Sequence, residues 1–243
     1  VALLAVGGIS YLIGRAIGSI GNSGSSRAAT SQSPTTKPTP TLPADPSASA
    51  LTTLGLRQSD VTGAFSIALI PHGNQVAGQA TLDLCNGTYP SEKLRRARLQ
   101  VAAVDQQGDS ALSTEAVLYA TPADAAEAIA EVRAKAASCP NSPVVSPVGE
   151  PTVTTKFSAA PDGAWPSVPD VDRAAFDFVT TDSSGKASRS VAVYLRRGRA
   201  LLGIYFPAPD TPLPSIGGQS TIEGAVNLFA NRMAQLPTSV TGG

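Results

Sequence analysis

Three runs in which apolar and polar residues alternate, 172–180 (DRAAFDFVT), 187–195 (ASRSVAVYL) and 199–206 (RALLGIYF), are separated only by short turns. Asp182-Ser183-Ser184-Gly185 and the tight Arg197-Gly198 pair leave no room for a crossover, so the three runs must be antiparallel neighbours. The alternation predicts a meander with one covered face, towards which Ala174, Phe176, Phe178 and Val191, Val193, Leu195 point. Upstream, 64–71, 76–85, 98–105 and 110–120 also read as strands, with Gln106–Asp109 closing the last two into a hairpin, and TVTTKFSA adds a further strand-like piece. LRQSDVTGAF reads as a short opening helix with Ser59 or Asp60 near a terminus.

Two longer helices punctuate these strands. Residues 122–138 begin with Thr121 as N-cap, Pro122 at the first position and Asp124 completing a capping box. Ala125, Ile129, Val132 and Ala136 share one face, which Cys139 continues, and the small alanines predict close approach to a sheet. Residues 221–236 carry a wide apolar stripe of Ile222, Ala225, Val226, Phe229, Met233 and Leu236, with Ser220 and Glu223 as the expected capping box. This helix is the expected cover of the meander.

The first fifty residues have a different character. VALLAVGGISYLIG, residues 1–14, carries no charge, and the run continues past Arg15 to about residue 20; it predicts the outer part of a membrane anchor, with a signal-segment core as the alternative. Residues 21–50 contain 19 Ser, Thr, Pro or Gly among 30 positions and cannot bury enough apolar surface to offset their ordering entropy. They predict a disordered linker spanning from about 30 Å as a coil to about 90 Å as polyproline II. Without residues 1–50 the chain has 15 basic and 17 acidic residues, which argues against nucleic acid as a partner.

Catalytic constellations are sparse. The chain has one histidine, His72, in the turn PHGN, where turn chemistry explains its neighbours. Neither cysteine has a second ligand at metal-binding spacing, no phosphate loop or dinucleotide fingerprint appears, and no cofactor is expected. Asp170 and Asp172 could act as paired carboxylates, although loop entry accounts for them equally well. Two cysteines in a segment expected outside the membrane, one ending a strand and one ending a helix, point to a disulfide between Cys85 and Cys139. A redox-active thiol would lack the second cysteine of a C-x-x-C pair.

Two basic clusters stand out. YPSEKLRRARLQ is expected to form a short helix with Lys93, Arg95, Arg96 and Arg98, able to meet an anionic headgroup or glycan. Arg95 and Arg98 could instead pair with Glu92 or Glu115. Arg196, Arg197 and Arg199 form a second group at a hairpin tip. An apolar ligand would be met by Phe176, Phe178, Tyr194 or Tyr205, and Trp165 reads more readily as a lid on the core than as a ligand anchor.

The stretch LDLCNGTYPSEKLRRARLQ, followed by STEAVLYATPADAAEAIAEVRAKAASCP, resembles a family of actinobacterial extracytoplasmic sensor domains and, more distantly, the extracellular sensor domain of a mycobacterial membrane serine/threonine kinase. The resemblance implies an antiparallel sheet with packed helices, an anchor-plus-stalk arrangement and a ligand-sensing cleft. That kinase sensor has two disulfides, whereas this chain can form one.

The expected fold is thus α+β: a mainly antiparallel sheet of about six to eight strands packed by two principal helices. The expected organisation is a membrane anchor at 1–20, a linker at 21–50 and an extracytoplasmic domain at 51–240. The expected function is a membrane-tethered, non-enzymatic ligand-binding or sensing domain, with Arg95, Arg98, Tyr194 and Tyr205 as ligand-binding residues. The partner would be a small envelope lipid or glycan, or an envelope protein. A structural or protein-interaction module is the alternative, and a carboxylate-based hydrolase the third reading.

Overall fold

The computed structural model describes residues 45–242; the expected anchor and all of the expected linker before Asp45 lie outside them. Eight strands form one antiparallel sheet: β1 (Ser66–Leu69), β2 (Arg95–Val104), β3 (Ser110–Tyr119), β4 (Val144–Ser146), β5 (Gly149–Ser158), β6 (Asp172–Asp182), β7 (Ala187–Arg197) and β8 (Ala200–Phe206), in the order β1-β2-β3-β8-β7-β6-β5-β4. Two meanders, β1 to β3 and β4 to β8, are therefore sewn together where β3 pairs with β8. The helices are α1 (Leu51–Leu54), α2 (Pro122–Ala137), α3 (Ile222–Ala234) and α4 (Thr238–Thr241). None of the helices among the described residues is long and apolar enough to cross a membrane.

Both faces of the sheet are covered, which corrects the expectation of one. Ala174, Phe176 and Phe178 oppose Tyr194, Ala192 and Ser190 in register, so they point away from Val191, Val193 and Leu195. The latter pack with α3, through Ala225, Val226, Phe229 and Met233, and with Leu51 and Leu54 of α1. Ala174 and Phe178 pack instead with Ala125, Ala128, Ile129 and Val132 of α2. Alternating apolar residues along one strand marked only one of its two buried faces. On the other, short or aromatic side chains such as Ala192 and Tyr194 serve as core, both fully buried.

α2 starts as expected, Thr121 and Asp124 exchanging side-chain bonds with each other's backbone amides. At α3 the cap is Thr221, whose hydroxyl accepts from the Gly224 amide, rather than Ser220. In place of the expected opening helix there is a single tight turn, Gln58–Asp60, in which buried Asp60 takes both terminal nitrogens of Arg232 on α3. At the far end of the sheet, Arg199 donates to both carboxylate oxygens of Asp45 and to the carbonyls of Tyr119 and Val240. One guanidinium so ties the start and end of the described chain to the sheet centre, upstream of the domain boundary expected at residue 51.

Two further segments depart from their sequence expectations, and both matter for the site. Residues 76–85 form no strand. Their backbone is satisfied by side chains rather than by a ladder: Glu92 accepts the Thr81 and Leu82 amides, and Arg95 donates to the Val76 and Gln79 carbonyls. The expected basic helix is a short turn, Pro90–Leu94, after which the chain enters β2 at Arg95. The β-branched and apolar run that follows prefers the sheet, where β3 supplies ten residues of complementary edge.

Candidate functional site

The structure brings Arg95, Arg98, Tyr194 and Tyr205 to the α2 face of the sheet. Arg95 and Arg98 are three residues apart, and a regular strand would send them to opposite faces. A bulge between Arg95 and Ala97, where Arg95 pairs with Tyr119 and Ala97 with Leu118, absorbs the extra residue. Both side chains consequently point the same way, and both are almost wholly buried.

Their charges are met inside the protein. Arg98 Nε donates to Glu115 Oε1, Nη2 to Gln100 Oε1, and Nη1 to the carbonyls of His72 and Gln75. Arg95 lies 3.0 Å from Glu92 Oε2 and also donates to Thr81 Oγ1 and the carbonyls of Val76, Gln79 and Glu92. Thr81 Oγ1 in turn donates to Glu115. Burial shifts the Glu92 carboxyl upward despite Arg95 and the two amides that favour its charged form.

Beside this polar group lies a row of aromatic rings. Phe157, Phe176, Tyr194 and Tyr205, on β5, β6, β7 and β8, meet in successive edge-to-face contacts with centroids 5.9, 6.1 and 6.0 Å apart. Phe178 backs Phe157 at 5.8 Å. Phe157 and Phe176 are half-buried, whereas Tyr194 and Tyr205 are buried. Gly203 makes room for the Tyr205 phenol: a Cβ there would lie 2.3 Å from the hydroxyl. The Tyr205 hydroxyl reaches the Thr81 carbonyl at 3.5 Å, while the Tyr194 hydroxyl has no partner at hydrogen-bonding geometry. Burial drives both phenols well above the usual range, and the Asp83 and Glu115 carboxylates push the same way. The result is a continuous stripe across six strands, polar at β2 and β3 and aromatic from β8 to β5.

Cys85 and Cys139 form a disulfide, with Cα atoms 5.8 Å apart. Cys85 is buried in a turn with positive φ, and Cys139 is half-buried beyond the end of α2, so it does not continue the fully buried stripe. Next to Cys85, Asn86 donates to the carbonyls of Val144 and Pro151. The bridge thereby joins the turn, the helix end and the β4–β5 edge. Leu82, Leu84 and Tyr89 pack from this segment onto Tyr194 and Tyr205.

The other residues singled out by sequence have structural partners. Asp172 lies between Arg133, at 2.8 Å, and Arg196, at 3.7 Å. Burial raises its carboxyl, but the Arg133 bond and the two positive charges outweigh this and hold it below its ordinary range. Such a group is a poor proton donor. Asp170 is exposed in a positive-φ turn. Arg197 donates to the Leu236 carbonyl and Arg199 holds Asp45, so the hairpin-tip cations serve packing. Trp165 is half-buried against the α3-side core with Arg173 over its ring at 5.6 Å. Among the described residues no three His, Cys, Asp or Glu side chains are grouped to hold a metal.

No protein-family model and no curated protein matches the chain. Among solved structures, it is similar to the extracellular domain of PknH from Mycobacterium tuberculosis, at 11% identity over 77% of this chain and 95% of that one, with a TM-score of 0.42. It is also similar to an uncharacterized protein, the Rv0999 ortholog, from Mycobacterium smegmatis, at 12% identity over 78% of this chain and 97% of that one, with a TM-score of 0.39.

Sequence patterning missed Phe157 and Thr81, and offered Glu115 only as a partner for Arg95 or Arg98. Phe157 and Phe176 occupy adjacent strands but lie nineteen positions apart in sequence. Their period-2 alternation alone was a usable signal, once β5 and β6 are taken as partners.

Proposed function

We propose that this chain is an extracytoplasmic ligand-binding or sensing domain without catalytic activity, tethered to the membrane through its N-terminal apolar segment. The observation that carries this reading is the aromatic stripe. Half-buried rings at Phe157 and Phe176 lead directly to buried Tyr194, whose hydroxyl has the Tyr205 phenol beside it but no partner at full hydrogen-bonding geometry. A buried, unmatched polar group is costly unless something meets it, and the half-buried rings beside it give a ligand apolar surface to cover. The disulfide supports a location in an oxidising compartment.

On this reading the ligand is a small envelope molecule lying along the α2 face, with Phe157 and Phe176 as first contacts and Arg95, Arg98, Tyr194 and Tyr205 deeper. Native mass spectrometry of the full chain, gently purified from its membrane, tests it. A bound mass that solvent extraction removes is expected, and it should be lost from a folded Phe157→Ala/Phe176→Ala double variant. A protein that emerges empty and takes up nothing from an envelope extract would overturn the reading.

A further inference from the structure

The segment Pro71–Thr81 crosses over Arg95, Arg98 and Glu115 with few apolar anchors of its own. His72, Asn74, Gln75, Ala77 and Gly78 are exposed, and Val76 and Gln79 are half-buried. Four of its carbonyls, from His72, Gln75, Val76 and Gln79, are gripped by the two guanidinium groups. Its upstream end is fixed where Gly73 receives the Gln100 amide; a Cβ at Gly73 would lie 2.5 Å from the Gln100 carbonyl, so the two backbones touch. Its downstream end is fixed by Leu82, Leu84 and the disulfide. A segment held by polar contacts between two firm ends, burying little apolar surface, belongs to the part of a fold that opens most readily.

Resting on the binding reading above, we propose that residues 71–81 are a strap that lifts to admit an uncharged polyhydroxylated ligand, a glycan, whose oxygens replace the four strap carbonyls on Arg95 and Arg98. The charge balance selects the ligand class. Each arginine already faces a carboxylate, Glu92 or Glu115. The floor under the strap thus has no positive charge left to hold a phosphate or carboxylate. The groups that the strap presents to the guanidiniums are neutral acceptors, which hydroxyl and ring oxygens of a sugar reproduce. The Tyr205 hydroxyl, 3.5 Å from the Thr81 carbonyl, marks the inner edge of this floor.

Hydrogen exchange on the full chain tests the strap without any ligand. The Gln79 and Thr81 amides, bonded to the Val76 carbonyl and to Glu92, should exchange at least tenfold faster than the amides of β3. Arg98→Gln should accelerate them at least tenfold further while β3 stays protected, and the wild-type measurement stands by itself should that variant fail to fold. Strap amides that exchange only together with β3 would overturn the proposal. In a second arm, cello-, malto- and chito-oligosaccharides and phosphatidylglycerol vesicles are offered to the same protein. Binding of an uncharged oligosaccharide, insensitive to added salt and accompanied by a change in strap exchange, is the expected result. Salt-sensitive binding to vesicles alone, or binding of neither probe, would overturn the glycan assignment. A native ligand that depends on Phe157 and Phe176 but leaves strap exchange unchanged would refute the strap and leave the binding reading standing.

Discussion

Removing the disulfide should cost this fold a predictable amount of stability. Cys85 and Cys139 are 54 positions apart, and on the chain-entropy view, closing a loop of that length in the unfolded ensemble is worth about 4 kcal/mol at 25 °C. The folded state contributes little against this, because the turn at Cys85 has its own supports: Asn86 on the β4–β5 edge, the Tyr89 hydroxyl on the Leu84 carbonyl, and Leu82 and Leu84 in the core. A Cys85→Ser/Cys139→Ser double variant should therefore fold to the same structure but unfold earlier. For a domain of this size about 4 kcal/mol corresponds to a fall in Tm of roughly 8–16 °C. Urea denaturation of both proteins without reductant gives the free energy directly, and far-ultraviolet circular dichroism checks that the fold is retained. A loss under about 1 kcal/mol would refute the reasoning, since it would mean that the unfolded chain gains no freedom when the loop opens. Loss of the folded state altogether would refute it from the other side, by showing that the turn has no independent support.

Three further outcomes follow from the geometry. Phe229→Ala removes a fully buried ring that packs between α3 and the sheet under Arg232, and should cost about 3–5 kcal/mol in denaturant unfolding. Gly203→Ala places a Cβ 2.6 Å from the Tyr205 ring carbon that bears the hydroxyl; the ring must move, at about 1–3 kcal/mol, and tyrosine absorbance near the aromatic stripe should change while α3-side variants leave it alone. The Arg199 hydrogen bond and charge hold the Asp45 carboxyl below its ordinary value, so this pair stabilises the fold above the unfolded carboxylate range and the contribution is lost as pH falls through the lower folded value. Wild type should accordingly be more stable than Asp45→Asn at neutral pH, with the two converging in strong acid; a difference independent of pH would refute the assignment.

Much of the architecture was legible in the chain. The turns at Asp182–Gly185 and Arg197-Gly198 are too short for anything but antiparallel partners, and β6, β7 and β8 lie where the alternation places them. Thr121, Pro122 and Asp124 mark the start of α2 within one residue. The pairing of Arg98 with Glu115, and of Arg95 with Glu92, was available as one option from charge and spacing. The second buried face was not legible, because Ala192 and Tyr194 break no period-2 pattern that would reveal them, and the register that sets Ala174 and Phe176 opposite them lies between strands rather than within one. Residues 76–85 misread as a strand for a related reason. Their alternation of small apolar and polar residues fits a ladder, but their hydrogen-bond partners are side chains ten to nineteen positions away, at Glu92 and Arg95.

Local sequence determined the central strands β3 and β6 to β8 and the helices α2 and α3, because turn geometry, capping and periodicity act within a few residues. Tertiary structure decided which residues share a face. A single extra residue at the Arg95–Ala97 bulge puts Arg95 and Arg98 on one side of the sheet. The β3–β8 pairing carries Glu115 to Gly203 and so to Tyr205. Neither relation is encoded within one element, since register between distant strands is set by the packing of both sheet faces at once. The stripe from Arg98 to Phe157 exists only when that register is complete.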